Sequence, residues 1–146
     1  GALHSLCLFG GICWRVYESF LLWGQEHNKQ EARPFYVFPY DWRRDNLETV
    51  DRLEDYVAQV ARRHKSKVQV VAHSMGGALT LAALHRAPAH YHSVVFVGTP
   101  FGPGPGYVED LHLGSSLGYN WRTFTPATNL SFGSSFFSFP ATLAEE

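Results

Sequence analysis

Residues Val70 to Gly77 read VVAHSMGG and carry the strongest signal for covalent chemistry in the chain. Within them, Ala72-His73-Ser74-Met75-Gly76 follows the spacing G-x-S-x-G, with alanine in the first small position. That spacing suits a tight turn from a strand into a helix, which strains the serine backbone and pushes its hydroxyl into the open. The residues two before and two after the serine must be small, because the two backbones nearly touch there. A hydroxyl presented in this way attacks acyl carbonyls. The N–H of the next residue, Met75, would then point to where the oxyanion develops. The plainer reading makes Ser74 a helix N-cap, a position serine favours. A cap does not ask for small residues on both sides, nor for Gly76 and Gly77 in the first turn, where glycine weakens a helix. We therefore read Ser74 as a nucleophile, Met75 as its backbone oxyanion donor, and the Met75 side chain as pocket lining. His73 is not read as the base, because adjacent strand residues project to opposite sides.

The flanking sequence supplies elements that would hold such a turn. Lys67 to His73 reads as a strand, Met75 to Pro88 as a helix apolar nearly all round, and Ser93 to Pro100 as a further buried strand. PFYVFPY, Pro34 to Tyr40, also reads as a buried strand. Trp14 to His27 has helical spacing at Val16, Phe20 and Trp23, with Tyr17 and Leu21 beside them. In DNLETVDRLEDYVAQVARRH, residues Leu47, Val50, Leu53, Val57 and Val60 share one helix face. Asp45 and Glu48 resemble a capping box at its start, and Arg62, Arg63 and His64 suit the dipole at its end. Strands alternating with helices imply an α/β fold: a parallel sheet with helices on both faces and right-handed crossovers. From Phe101 onward glycines, prolines, serines and scattered phenylalanines show no periodic element over Leu111 to Pro140. We expect residues 1–100 to form the core and 101–146 an irregular segment, either a lid over the site or a tail lacking its packing partners.

Bulk properties exclude several classes. Hydrophobic residues at 45% and charged residues at 17% describe a globular chain. The formal net charge of −1 gives no electrostatic case for nucleic acid, and no basic run marks an anionic membrane surface. No apolar run reaches the roughly 18 residues a membrane helix needs, and no signal peptide pattern is present. Cys7 and Cys13 are too few for a disulfide framework and read as buried free thiols, with a bridge between them as the alternative. His85, His90 and His92 raise a metal reading, but His90-Tyr91-His92 falls in a connection without a Cys or carboxylate cluster, so a surface loop is preferred. No cofactor or metal is implied. The compartment is left open, and Asn129-Leu130-Ser131 is a glycosylation sequon that matters only in a secreted chain. The chain starts at Gly1 rather than Met and stops at Glu145-Glu146 without a closing element. We expect a piece of something longer.

Three blocks in order carry a resemblance: FPYDWR from Phe38 to Arg43, VVAHSMGG from Val70 to Gly77, and VGTPF from Val97 to Phe101. Together they resemble the α/β-hydrolase superfamily, and within it the lecithin:cholesterol acyltransferase-like lipases, over roughly Trp14 to Phe101. The resemblance implies hydrolysis or transfer of fatty acyl groups from phospholipids and related esters, with Ser74 matching the acyl-forming nucleophile and Met75 the oxyanion donor. Asp41 matches a structural position; its own surroundings suggest a local ion pair with Arg43 and Arg44. In this fold the triad runs Ser, then Asp or Glu, then His, on later strands. Downstream of Ser74, Glu109, Asp110 and His112 lie too close together to come from two successive strands and read as a solvated turn or lid segment. The triad acid and histidine are therefore expected beyond Glu146. The loop giving the second oxyanion donor has only a faint candidate in Phe9-Gly10-Gly11.

The expected activity is that of a serine ester hydrolase or O-acyltransferase on lipid-like acyl esters, with transient membrane-surface contact at most. Two alternatives stand beside it. One is a non-catalytic remnant, because no base or acid is evident. The other is a thioesterase, lactonase or peptidase on the same scaffold, since fold alone does not fix the reaction.

Overall fold

The computed structural model describes residues 5–7, 13–30, 34–102, 105–117 and 120–138, and in them the chain forms two compact units, Gly1–Tyr40 and Asp41–Glu146. In the first unit β1 (Ser5–Cys7) pairs antiparallel with β2 (Cys13–Arg15), setting Cys7 opposite Cys13 along the ladder. The side chains of both cysteines lie outside the described residues, as does Phe9-Gly10-Gly11. α1 follows (Glu18–Gln30). Of the apolar positions read there Leu21 is buried, together with Gly24, whereas Phe20 and Trp23 are exposed and Val16 precedes the helix. The reason is local: the Phe35 ring fills the space a Cβ on Gly24 would need. Phe20 then stands edge-on to Phe35, with ring centroids 5.9 Å apart. Pro34 to Tyr40 forms no regular strand, contrary to expectation. Pro34 and Pro39 have no N–H to give to a ladder, which suits this segment poorly to a strand within a sheet.

The second unit opens with α2 (Asn46–His64). Asp45 caps it, its carboxylate accepting from the Leu47 N–H at 2.8 Å. The reciprocal half of a capping box is replaced: Arg44 holds the Glu48 carboxylate at 2.9 Å. Val50, Leu53 and Val57 are buried as the spacing predicts, whereas Leu47 is exposed. The helix ends at Lys65, in a left-handed conformation. β3 (Val68–His73) leads through Ser74 into α3 (Met75–Arg86), and a 3-10 turn (Pro88–His90) leads into β4 (Tyr91–Val97). β3 and β4 are parallel, with Val71 opposite Val95 and His73 opposite Val97.

α2 and α3 pack on each other and on the sheet. Leu79 and Ala83 of α3 and Val50 of α2 are almost wholly buried and form the centre of the core. Truncating Leu79 to alanine would cost about 2–5 kcal/mol. Among the described residues of this unit, α2 and α3 pack on one face of the β3–β4 sheet. Ala72 is buried, but Val71, Val95 and Val97 on the other face are 54%, 53% and 44% exposed.

After Phe101 the structure is more regular than the composition suggests. α4 spans Pro105–Leu113, β5 (Ser115–Leu117) pairs antiparallel with β6 (Asn120–Phe124), α5 spans Pro126–Leu130, and a 3-10 turn covers Gly133–Ser138. The segment is also packed: Phe132 meets Trp42 edge-on at 5.1 Å, and Phe124 lies 6.3 Å from the same ring. The expectation of no element over Leu111 to Pro140 is therefore corrected. These elements are short and held by contacts distant in sequence, which periodicity does not register.

Candidate active site

Ser74 sits between the last residue of β3 and the first of α3 at φ 53° and ψ −131°. A non-glycine side chain at positive φ is strained, and such residues persist only where their surroundings hold them. Two contacts do so here. The Ser74 N–H donates to the Val97 carbonyl on β4 at 2.9 Å, and the Ser74 carbonyl accepts from the Gly77 N–H at 2.9 Å. The Ser74 side chain makes no hydrogen bond to the helix it precedes, so it does not act as a cap. As the first residue of α3, Met75 has no carbonyl one helical turn back, which leaves its N–H at the positive end of the helix dipole.

A second close approach lies one residue after Gly76, against a side chain. Ala72 is buried, but Gly77 is the position where a Cβ would run into the Thr99 side chain, from the connection after β4. Sequence reading missed this pair; the doubled glycine was the available signal. It also missed Asn46, 2% exposed at the start of α2, whose side-chain N–H approaches the Met75 sulfur at 3.8 Å. Among the described residues, the Asn46 Oδ1 and Thr99 Oγ1 are buried without a hydrogen-bond partner. These two oxygens belong to residues beside the first turn of α3, and a third orphaned oxygen, the Tyr91 hydroxyl, lies at the start of β4.

His73 is exposed while Ala72 is buried, the alternation a strand requires. Its ring passes next to Gly98, itself at φ 54°. Glu109, Asp110 and His112 share α4, so they do not arise from successive strands, and among the described residues no hydrogen bond or ion pair joins them to Ser74. Asp41 is held by Arg43 through two bonds, Nε to Oδ1 at 2.7 Å and Nη2 to Oδ2 at 2.6 Å. These bonds, with a further one from the Arg43 N–H, bring its pKa down to about 2. Such a carboxylate is a fixed anion, unsuited to moving protons near neutrality. Asn129 of the sequon is buried, its amide donating to the Asp110 carbonyl at 2.9 Å. At 8% exposure a glycan on that nitrogen would have to displace the packing around it. Among the described residues no group of three His, Cys, Asp or Glu is placed to hold a metal, and no helix is long and apolar enough to cross a membrane.

The site is thus that of an α/β protein in which a strained serine joins a parallel strand to a buried helix. The chain belongs to the lecithin:cholesterol acyltransferase family, whose sequence pattern matches residues 12–144. The match takes in the segment after Phe101 as well as the three blocks. The chain is 28% identical over 105 residues to the uncharacterized protein YJR098C of Saccharomyces cerevisiae. That region is 70% of this chain and 16% of the yeast protein, so the chain spans a small part of that relative's length. No solved structure matches it.

Proposed function

We propose that Ser74 is the nucleophile of a serine O-acyltransferase or lipase acting on lipid acyl esters, and that this chain is the part of the protein that carries it. The observation behind this reading is the positive φ of Ser74 at a strand-to-helix turn, in a chain of the lecithin:cholesterol acyltransferase family. Strain at a serine that caps nothing has no evident structural use.

In the proposed reaction a base removes the Ser74 hydroxyl proton while Oγ bonds to the ester carbonyl carbon. The carbonyl oxygen takes up the electron pair, and the Met75 N–H stabilises it. Collapse breaks the bond to the alcohol, which leaves with the proton from the base, and the acyl group stays on Ser74. Water or a second alcohol then attacks the acyl-enzyme. No metal or cofactor is needed in this scheme. The scheme takes as base a histidine on a later strand, as the family's chain order implies; among the described residues no hydrogen bond joins a histidine to Ser74. The aromatic cluster of Trp42, Phe124 and Phe132 supports the segment after Phe101 as a lid with an apolar surface.

That no histidine among the described residues is hydrogen-bonded to Ser74 leaves room for a second reading, a non-catalytic remnant that binds acyl ligands. Fluorophosphonate labelling of the folded chain, with Ser74→Ala as control and circular dichroism to confirm folding, separates the two parts of the proposal. Labelling at Ser74 would establish the nucleophile and show that a base lies within these residues. A folded, unlabelled chain would place the base elsewhere. Labelling must then appear in the longer protein; if it does not, the remnant reading stands.

A further inference from the structure

Far from Ser74, basic side chains from three segments of the second unit surround one surface cavity. Ser74 follows the C-terminal end of β3, and Lys67 precedes its N-terminal end. Six residues at about 3.3 Å each hold those ends about 20 Å apart. The cavity, about 280 Å³, is lined by Arg62 in the last turn of α2, Lys65 at its C-terminal cap, Ser66 and Lys67 on the way into β3, and His90 ahead of β4.

The charge here is not engaged elsewhere. Among the described residues, ion pairs use Arg15, Arg43, Arg44 and Arg86, and none uses Arg62, Lys65 or Lys67. Terminating α2 does not require these side chains either. The Lys65 N–H reaches the Ala61 and Arg62 carbonyls, and the Ser66 N–H reaches the Ala61 carbonyl at 3.2 Å. The helix dipole favours cations in the last turn, which Arg62 and Arg63 answer, but it does not account for Lys67 at the strand entrance or His90 across the cavity.

Lys65 adds an independent observation. It stands at φ 50° and ψ 37°, the left-handed position after a helix that glycine most often fills. An L side chain costs about 1–2 kcal/mol there. Apart from Ser74, it is the one non-glycine residue at positive φ among the described residues. A lysine kept at a glycine position, on the rim of a cavity holding two further cations, points to a use for its ammonium group.

We propose that this cavity binds the phosphoryl group of a phosphate monoester, at a site separate from Ser74. A guanidinium, two ammonium groups and an imidazole can supply charge-assisted donors to the terminal phosphate oxygens. A cavity near the small end of ligand sites suits a compact phosphorylated molecule. The phosphoryl group can come from a soluble metabolite or from a lipid headgroup, and the test distinguishes the two.

The full chain is titrated calorimetrically with glycerol 3-phosphate. In parallel it is sedimented with phosphatidylcholine vesicles, with and without about one phosphatidic acid in five lipids. Two variants accompany it, Lys65→Gly and the double variant Arg62→Gln with Lys67→Gln. Each should weaken binding about tenfold or more. Lys65→Gly should keep or raise thermal stability, so its loss of binding does not come from unfolding. Response to glycerol 3-phosphate, lost in the variants, supports the site with a soluble ligand. Response only to phosphatidic acid vesicles, again lost in the variants, supports it with a headgroup. Response to neither probe, or variants that bind like the parent chain, overturns the proposal.

Discussion

The Thr99 side chain occupies the space that a Cβ on Gly77 would need. The first turn of α3 and the end of β4 are therefore set by contact between these two residues, with Ser74 in between. Gly77→Ala must push one element away, and we expect a loss of about 1–3 kcal/mol in denaturant unfolding. Adding Thr99→Gly should recover part of it. Thr99→Val is a different case, because it removes a buried hydroxyl whose oxygen has no partner. It should be neutral or slightly stabilising; a marked loss would mean that Thr99 is bonded to something the static contacts do not reveal.

Asp45 and Glu48 are expected to differ in importance although both stand at the start of α2. Asp45 accepts from the Leu47 N–H and satisfies a donor the helix leaves open. Asp45→Ala should cost about 1 kcal/mol in urea unfolding. Glu48 meets only the exposed Arg44 side chain, and Glu48→Ala should change stability by no more than about 0.5 kcal/mol. Equal effects would restore the reciprocal capping box.

Asn129 is buried at the junction of α4, β5 and α5, its amide shared between the Asp110 carbonyl and, at 3.4 Å, the Ser115 hydroxyl. Asn129→Ala removes one of two donors to the Asp110 carbonyl, which keeps the Gly114 N–H at 2.9 Å, and should cost about 0.5–1.5 kcal/mol. Expression through a secretory pathway gives a second readout. Intact mass should show no glycan at Asn129, and a glycan on folded protein would contradict the burial.

The parts of the fold legible in the sequence are those written locally. α2 was readable from a cap, a 3.6-residue apolar period and basic residues in its last turn. β3, Ser74 and α3 were readable because one short stretch encodes strand, turn and helix together. The parts that were not legible depend on partners distant in sequence. Nothing between Leu111 and Pro140 announces that Phe124 and Phe132 will meet Trp42, or that Asn129 will bond Asp110. Pro34 to Tyr40 misled because a short apolar run has the same composition whether or not it finds a ladder, and its two prolines were the warning. At the site, the need for a small residue was legible, but the residue that meets Thr99 depended on the β3–β4 register.

Asp41 gives a pH signature independent of activity. Its folded pKa is about 2 against an ordinary 3.8, the Arg43 hydrogen bonds being the main cause. A depressed carboxyl pKa stabilises the folded state above the unfolded value. That contribution should be full above about pH 4 and fade as pH falls from 3.8 toward 2. Carbon-13 NMR of the Asp41 carboxyl should show the low titration midpoint, and Arg43→Gln should move it upward. A midpoint near 3.8 in the parent chain would mean that the pair does not persist in solution.

The strain at Ser74 predicts that stability and function oppose each other at one atom's distance. At φ 53° and ψ −131° a Cβ is unfavourable and glycine is at ease. Glycine already exceeds alanine by about 1 kcal/mol at an ordinary helix N-cap, and relief of the strain should widen the gap between Ser74→Gly and Ser74→Ala to about 2 kcal/mol or more. Both variants lack the hydroxyl, so both should fail to label with a fluorophosphonate wherever the parent protein does. Chemical denaturation of the two variants side by side makes the comparison without needing activity. A glycine advantage well beyond that of an ordinary cap would mean that the surroundings force the serine backbone into a conformation it does not favour, as a presented nucleophile requires. An advantage no larger than that of an ordinary cap would mean that the turn relaxes when the side chain changes, and the structural case for Ser74 as an activated group would fall with it.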